Sequence, residues 1–429
     1  MKTYINPSNN EWKDLIKRPI INEEILSDAV TSILSDVKAN GDKAIIKYAS
    51  LFDGVKLDSL AVSSSEIEEA TTQISGELKA AINVAKQNIE TFHEAQNITE
   101  SVIETTPGVK CWRKSVGIEK VGLYIPGGSA PLFSTILMLA IPANIAKCKE
   151  IVLCTPPNKK GEINPAILYT ANLVGITKIY KIGGAQAIGA MAYGTETINN
   201  VFKIFGPGNQ YVTKAKELIQ QDGVAIDMPA GPSELLVIAD ETSNPQFVAA
   251  DLLSQAEHGA DSQVILLSDN KAVVENCLLE VSKQLALLPR KETATKALAN
   301  SKSIVLKDID ECVDFSNKYA PEHLIFATEN ATNFLDKIIN AGSVFIGNYS
   351  CESAGDYASG TNHTLPTNGY ANNYSGVSLD SFVKKITLQE LSKEGIQNIG
   401  PAIEIMAEAE ELFAHKNAVT VRLKKLATE

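Results

Sequence analysis

Two rhythms of apolar residues run along this chain. The first has a helical period: NEEILSDAVTSILSDVKANGDKAIIKYASLF, with Asn22 as its cap and a stop at Gly41 before it resumes, is followed by SSSEIEEATTQISGELKAAINVAKQNIETFHEAQN behind a serine cap. Apolar positions three to four apart mark amphipathic helices, so residues 1 to about 110 read as mostly helical. His93 sits in the second run, where a lone histidine reads as a surface or boundary residue.

From about residue 116 the rhythm changes to short β-branched runs alternating with helical segments. Strands are expected at 118–125 (IEKVGLYI), 150–155 (EIVLCT), 178–183 (KIYKIG) and 201–205 (VFKIF), with helices at 131–148, 164–174, 185–195 and 209–221. The alternation restarts at Glu234, with strands at 234–240, 263–268, 303–307, 323–328 and 343–347 and helices at 244–259, 271–285, 310–320 and 329–342. Such alternation means βαβ units and parallel sheets, so two α/β layers follow one another with a joint near 229–232. Residues 348–382 form a long aperiodic stretch whose Tyr, Asn and His content suits an ordered site loop. From Lys384 a small helical unit is expected, ending in the strand-like AVTVRL at 418–423.

Composition narrows the function classes. Of 429 residues, 44% are hydrophobic and 21% charged, ordinary for a soluble globular protein. With 51 acidic against 39 basic residues, a net charge of −12 and no dense Lys/Arg run, nucleic acid and anionic membrane are poor partners. The start lacks an apolar signal region, and the most apolar stretch, 131–146, is broken by Ser134, Thr135, Pro142 and Asn144. A cytoplasmic protein is expected. The six cysteines, Cys111, Cys148, Cys154, Cys277, Cys312 and Cys351, show no paired spacing and read as reduced thiols. Only Cys351, in NYSCESAGD, sits in a loop of a kind that could host a nucleophile.

Parallel sheets bind ligands at the carboxyl ends of their strands, and there the first layer carries Gly/Pro-rich turns: IPGGSAP (125–131), GGAQAIGA (183–190) and GPGNQYV (206–212). Glycine lets a backbone approach a phosphate, and a following helix supplies N–H donors. The run from Gly206 to Tyr211 lacks the third glycine of a dinucleotide fingerprint, and tight turns without a ligand would look similar. Of five histidines, four lie in polar contexts in the second half: His258, His323, His363 and His415. Gln255 and His258, three apart near a helix end, share a face, and Asp356 lies in the long loop. Nitrogen and oxygen donors without thiolate suit zinc or a similar ion at an open site, although each histidine alone reads as a satisfied polar residue. Glu322 and His323 adjoin at a strand start and could share acid/base work, or Glu322 could simply face solvent.

AEHG with Gln255 upstream, APEHL, GDYASGTNHTLPT, GPGNQYV, LYIPGG and AHKNAV together resemble histidinol dehydrogenase from about 121 to 420. The resemblance implies an NAD-dependent oxidation of L-histidinol through a bound aldehyde to L-histidine, one zinc per subunit, and a homodimer. Carried over by motif, zinc ligands would be Gln255, His258, Asp356 and His415, and the acid/base pair Glu322 and His323. Substrate contacts would be Ser233, Gln255, His258, His323, Asp356, His363, Glu410 and His415, and NAD contacts Tyr124, Gln186 and Asn209. The family's sheets resemble an incomplete Rossmann, aldehyde-dehydrogenase-like arrangement, and its motif does not require Cys351.

The expected organisation is an α/β protein with a 1–22 arm, a 23–115 helical segment packed with a 233–380 zinc/substrate domain, a 116–232 NAD-binding domain, and a 381–429 unit exchanged in the dimer. A zinc-dependent hydrolase or lyase, with Glu322 as base and no nicotinamide, is the rival reading. A two-lobed small-molecule binding protein, needing neither Glu322 nor His323, is the non-enzymatic one.

Overall fold

The computed structural model describes residues 1–18, 23–127 and 130–429, so the expected cap Asn22 and Gly128 of the first turn lie outside the described residues. In chain order the strands are β1 (Lys2–Ile5), β2 (Ile103–Thr106), β3 (Val109–Gly117), β4 (Lys120–Tyr124), β5 (Glu150–Thr155), β6 (Lys178–Lys181), β7 (Lys203–Phe205), β8 (Ala225–Ile226), β9 (Glu234–Ala239), β10 (Gln263–Ser268), β11 (Lys302–Val305), β12 (His323–Ala327), β13 (Ser343–Ile346) and β14 (Val383–Leu391). They form two parallel sheets, β6-β5-β4-β7-β8 and β1-β11-β10-β9-β12-β13, and one antiparallel sheet, β14-β3-β2.

The two α/β layers follow from strands apolar enough to be covered on both faces. Every residue of β9 and β10 is buried. Alternate side chains feed opposite cores: Leu235 and Val237 one side, Leu236 and Ile238 the other.

The helices of 23–94 pack chiefly on the first sheet, and the last of them, Gly76–Glu94, also meets the 233–380 segment, where Asn88 Nδ2 donates to the Ala358 carbonyl at 2.7 Å. Val30, Leu34 and Val37 of Glu23–Asn40 share a core with Ile188 and Met191, while Ile67, Ile82 and Ile89 share one with Ile136 and Ile167. The reason lies in the first layer's own helices: Phe133–Ile145 and Gly184–Tyr193 are buried almost all round, so each needs a second helix outside it.

Other expectations also change. The N-terminal region is not wholly helical, since β1 extends the second sheet beside β11, with Tyr4 opposite Ile304, and β2 and β3 precede residue 118. The segment 418–423 is helical, inside Phe413–Leu426. Its β-branched preference yields to packing, because Gly400 of the neighbouring helix opens space taken up by Val419 and Leu423. The expected 329–342 helix is a 3-10 segment, Ala331–Lys337, ended where Asn317 Oδ1 accepts from Ile339 and Asn340 N–H at 2.8 and 3.2 Å. The long loop contains a short helix, Glu352–Tyr357. His93 is fully buried, with Nδ1 2.9 Å from the Ile89 carbonyl.

At the C-terminus β14 runs antiparallel to β3 from Val383↔Gly117 to Leu391↔Val109, and helices Lys393–Ala409 and Phe413–Leu426 pair above that sheet. No helix among the described residues is long and apolar enough to cross a membrane.

Candidate active site

The second sheet carries its chemistry at the amino ends of its strands. His323 is the first residue of β12, Ser233 and Glu234 stand at the start of β9, and Gln255 and His258 close the helix that leads back to β10. The Gly/Pro-rich turns lie at the carboxyl ends of the first sheet, whereas the candidate site residues of the second sheet lie at its amino ends. Pro321 and the left-handed Ala320 (φ 52°) turn the preceding helix sharply enough to set Glu322 and His323 beside β9.

Both residues are buried, so Glu322 is not a solvent-facing edge residue. The Glu234 N–H donates to Glu322 Oε2 at 2.8 Å, and His323 Nδ1 lies 3.2 Å from the Glu234 carbonyl. A proton on Nδ1 shared with that carbonyl leaves Nε2 as the free nitrogen, and Nε2 has no hydrogen-bond partner among the described residues. Asp356 Oδ1 stands 3.7 Å from Nε2 and Glu352 Oε1 3.7 Å from Nδ1.

Beyond His323, the side chains of His258, Glu352 and Asp356 bring ligand atoms within 4.8 Å of one another and can hold a metal ion. Gln255, fully buried, has neither amide atom hydrogen-bonded among the described residues, and Glu352 Oε1 is likewise unpartnered. Buried polar atoms are normally satisfied, so these orphaned donors and acceptors are what an ion site looks like from its ligands. The electrostatics agree. Burial pushes Glu322 and Glu352 each up to about 8. Burial also opposes charge on His323, but Glu322, Glu352 and Asp356 outweigh it and hold the imidazole at about 10. Burial raises Asp356 too, yet His323 beside it brings the carboxyl below its usual range. The cluster thus holds protons that a cation would displace.

His363 holds this cluster to the first layer: its Nδ1 is 2.9 Å from the Asp356 carbonyl and its Nε2 3.0 Å from Thr135 Oγ1. Ser233 is half-buried beside Glu234, its carbonyl accepting from Gln263 N at 3.2 Å. Glu410 and His415 are exposed on the C-terminal helical pair and stand outside the His258–Glu352–Asp356 cluster. Cys351 is a free thiol at the cap of the Glu352 helix.

Glu352 escaped sequence reasoning although it was legible: it lies four residues before Asp356, the spacing that puts two carboxylates on one helical face. The long loop around it hid the helix.

At the carboxyl ends of the first sheet lies a cavity of about 1180 Å³, lined among others by Tyr124, Pro156, Gly184, Gln186 and Asn209. Gly184 (φ 68°) takes a conformation that favours glycine, and its N–H donates to the buried Tyr124 hydroxyl at 3.0 Å. Asn209 Oδ1 caps the next helix by accepting from Tyr211 and Val212 N–H, both at 3.1 Å, which leaves its amide NH2 for the cavity. Beyond the Gly184 N–H, the start of Gly184–Tyr193 has no side-chain cap, and a helix N-terminus of this kind suits a phosphate. Buried Lys216 donates to the Gly206 carbonyl at 3.0 Å, and Asp227 accepts from Gly206 N–H at 2.8 Å, fixing the neighbouring turn.

This arrangement recurs in known proteins. A profile of the family described as histidinol dehydrogenase matches residues 16–423. The histidinol dehydrogenase of Bacteroides thetaiotaomicron is 61% identical over 426 residues, covering 99% of this chain and 100% of that one. That of Escherichia coli K12 is 54% identical over 419 residues, covering 97% and 96%. The crystal structure of histidinol dehydrogenase from Elizabethkingia anophelis is 64% identical and superimposes with a TM-score of 0.97 over 100% of this chain and 99% of that one. A match of this extent, over nearly the whole chain and both parallel sheets, shows the family: the chain belongs to the histidinol dehydrogenases.

Proposed function

We propose that this protein oxidises L-histidinol to L-histidine in two NAD-dependent steps through an aldehyde that stays bound. The observation that carries the reading is the free Nε2 of His323, buried 3.7 Å from Asp356 of the His258–Glu352–Asp356 cluster, with its other nitrogen against the Glu234 carbonyl. The hydrolase or lyase reading needs the same cluster but gives the cavity of the first layer no occupant.

Gln255, His258 and Asp356 would hold zinc, with Glu352 beside them, and Tyr124, Gln186 and Asn209 would line the NAD site. Bound there, zinc would supply a Lewis-acid anchor for the substrate's imidazole and amine and a charge favouring neutral His323, and NAD would accept hydride. His323 Nε2 takes the hydroxyl proton as the alcohol carbon is oxidised. Glu322, held by the Glu234 N–H, orients the water that adds to the aldehyde and accepts its proton. Asp356 steadies the imidazole from the far side, and His363 steadies Asp356. Burial of both members of the pair excludes bulk water from a reactive amino aldehyde.

Glu410 and His415 reach the site of a partner subunit in this reading. Their helices pack on one another and on the antiparallel sheet, and both side chains are exposed. A cytoplasmic homodimer with two composite sites follows.

Absorbance at the NADH band tests the reading directly. Alcohol to carboxylate is a four-electron change, so each histidinol consumed should yield two NADH. Absence of NADH with metal-loaded protein would reject it.

A further inference from the structure

The mechanism above leaves the Arg18–Glu234 ion pair unused, with both side chains largely out of solvent. Arg18, at the end of the N-terminal arm, grips Glu234 through one edge of its guanidinium, Nε to Oε1 at 2.6 Å and Nη2 to Oε2 at 2.9 Å. The same Nη2 donates to the Tyr319 carbonyl at 2.6 Å, and the guanidinium lies over the Tyr319 ring at 3.8 Å. Glu234 Oε1 also accepts from Asn368 N–H at 2.9 Å. Arg18 therefore ties together the start of β9, the end of the helix that turns into Pro321–His323, and the loop following His363.

The first two of these position the acid/base pair: the helix end leads directly into Glu322 and His323, and the start of β9 holds both. Glu234 holds Glu322 through its N–H and His323 through its carbonyl, and the Tyr319–Ala320 carbonyls that Arg18 engages lie two to four residues before the pair. A lysine could neutralise Glu234 but could not span carboxylate and carbonyl with a planar fork.

We propose that Arg18 is a positioning residue for the reaction: through the Glu234 clamp, it fixes Glu322 and His323 relative to one another. This rests on the reading of those two residues as the acid/base pair. Arg18 touches neither substrate nor cofactor in this scheme and acts on turnover alone.

The test compares Arg18→Lys and the doubly neutral Arg18→Gln/Glu234→Gln with the parent, all metal-loaded, reading kcat, KM for histidinol, metal content and Tm. A displacement of an ångström at the reacting groups is enough for the expected loss: kcat about tenfold to a hundredfold lower in both variants, with KM and metal content within about twofold. Arg18→Gln, measured alongside, strands the Glu234 charge; the double variant removes it, so its Tm should recover relative to Arg18→Gln while its kcat stays low. A kcat that recovers with Tm, or an Arg18→Lys enzyme within about twofold of the parent kcat, overturns the proposal. His323→Asn and Glu322→Gln are run in the same assay. If these keep full turnover the acid/base reading has failed, whereas if they lose it and Arg18→Lys does not, only the clamp has failed.

Discussion

His323 leans on Glu234 and not on its sequence neighbour: Nδ1 is 3.2 Å from the Glu234 carbonyl but 3.7 Å from Glu322 Oε2. The two catalytic candidates are thus held separately, the imidazole by the carbonyl of one β9 residue and the carboxyl by the N–H of that same residue. Neither orients the other, so their contributions can be separated by substitution.

His323→Asn should keep the fold and histidinol binding while slowing alcohol oxidation by about a hundredfold or more, the scale of a lost general base. Glu322→Gln, which leaves the Glu234 N–H an acceptor, should slow mainly the aldehyde step. Rapid-quench kinetics starting from histidinol and from histidinal separate the two. Equal slowing of both steps by Glu322→Gln would refute the division of labour.

Metal binding should release protons. The unliganded cluster holds Glu322 and Glu352 up to about 8 by burial, and its carboxylates hold His323 at about 10, so near neutral pH a divalent ion must expel protons to bind. Calorimetric titration of stripped protein with zinc in buffers of different ionisation enthalpy should show that release. Stripping should abolish turnover yet leave the circular dichroism of the fold nearly unchanged, because the cores of the second layer are built from aliphatic and aromatic side chains outside the cluster. Buffer-independent heats would count against the cluster as the metal site.

Much of this site was open to sequence reasoning, for definite reasons. The central strands β4, β5, β9, β10 and β12 are short apolar runs bounded by turn residues, the pattern of a doubly covered parallel sheet. Gln255 and His258 could be paired because a helix puts them on one face. The antiparallel sheet stayed hidden because β3 and β14 bury little and mix charges with apolar residues, leaving no clean alternation. Arg18 was illegible for a different reason: its partners Glu234 and Tyr319 lie hundreds of residues away, and no local pattern marks an ion pair made by tertiary packing.

Stability should respond to pH through Asp251, on the helix that carries Gln255. Burial pushes this carboxyl up to about 7 from an ordinary 3.8. The folded protein therefore holds the proton more tightly than the unfolded chain does. The resulting stabilisation is complete below the unfolded value and is lost as pH rises through the folded one, by roughly 1–3 kcal/mol above about pH 8. Asp251→Asn should remove that loss, raising Tm near pH 8 and changing it little near pH 4.5. A Tm difference that does not grow between those two pH values would show that Asp251 is ionised without penalty in the fold.

The last expectation concerns assembly. Asp356, Gln255 and His258 belong to the second layer, whereas Glu410 and His415 stand exposed on helices that pack chiefly on one another and on the antiparallel sheet. If the partner subunit supplies those two residues, His258→Ala and His415→Ala lesions fall in the same site of a hybrid dimer and leave its other site whole. Each parent homodimer is inactive. Random exchange makes half the dimers hybrids, each with one good site, so activity should return to about a quarter of the unmutated level. Differently tagged subunits allow the hybrid to be isolated, where about half activity is expected. A pure hybrid without activity would mean that each site is built within one chain, and that the C-terminal helices must swing toward their own second layer to complete it.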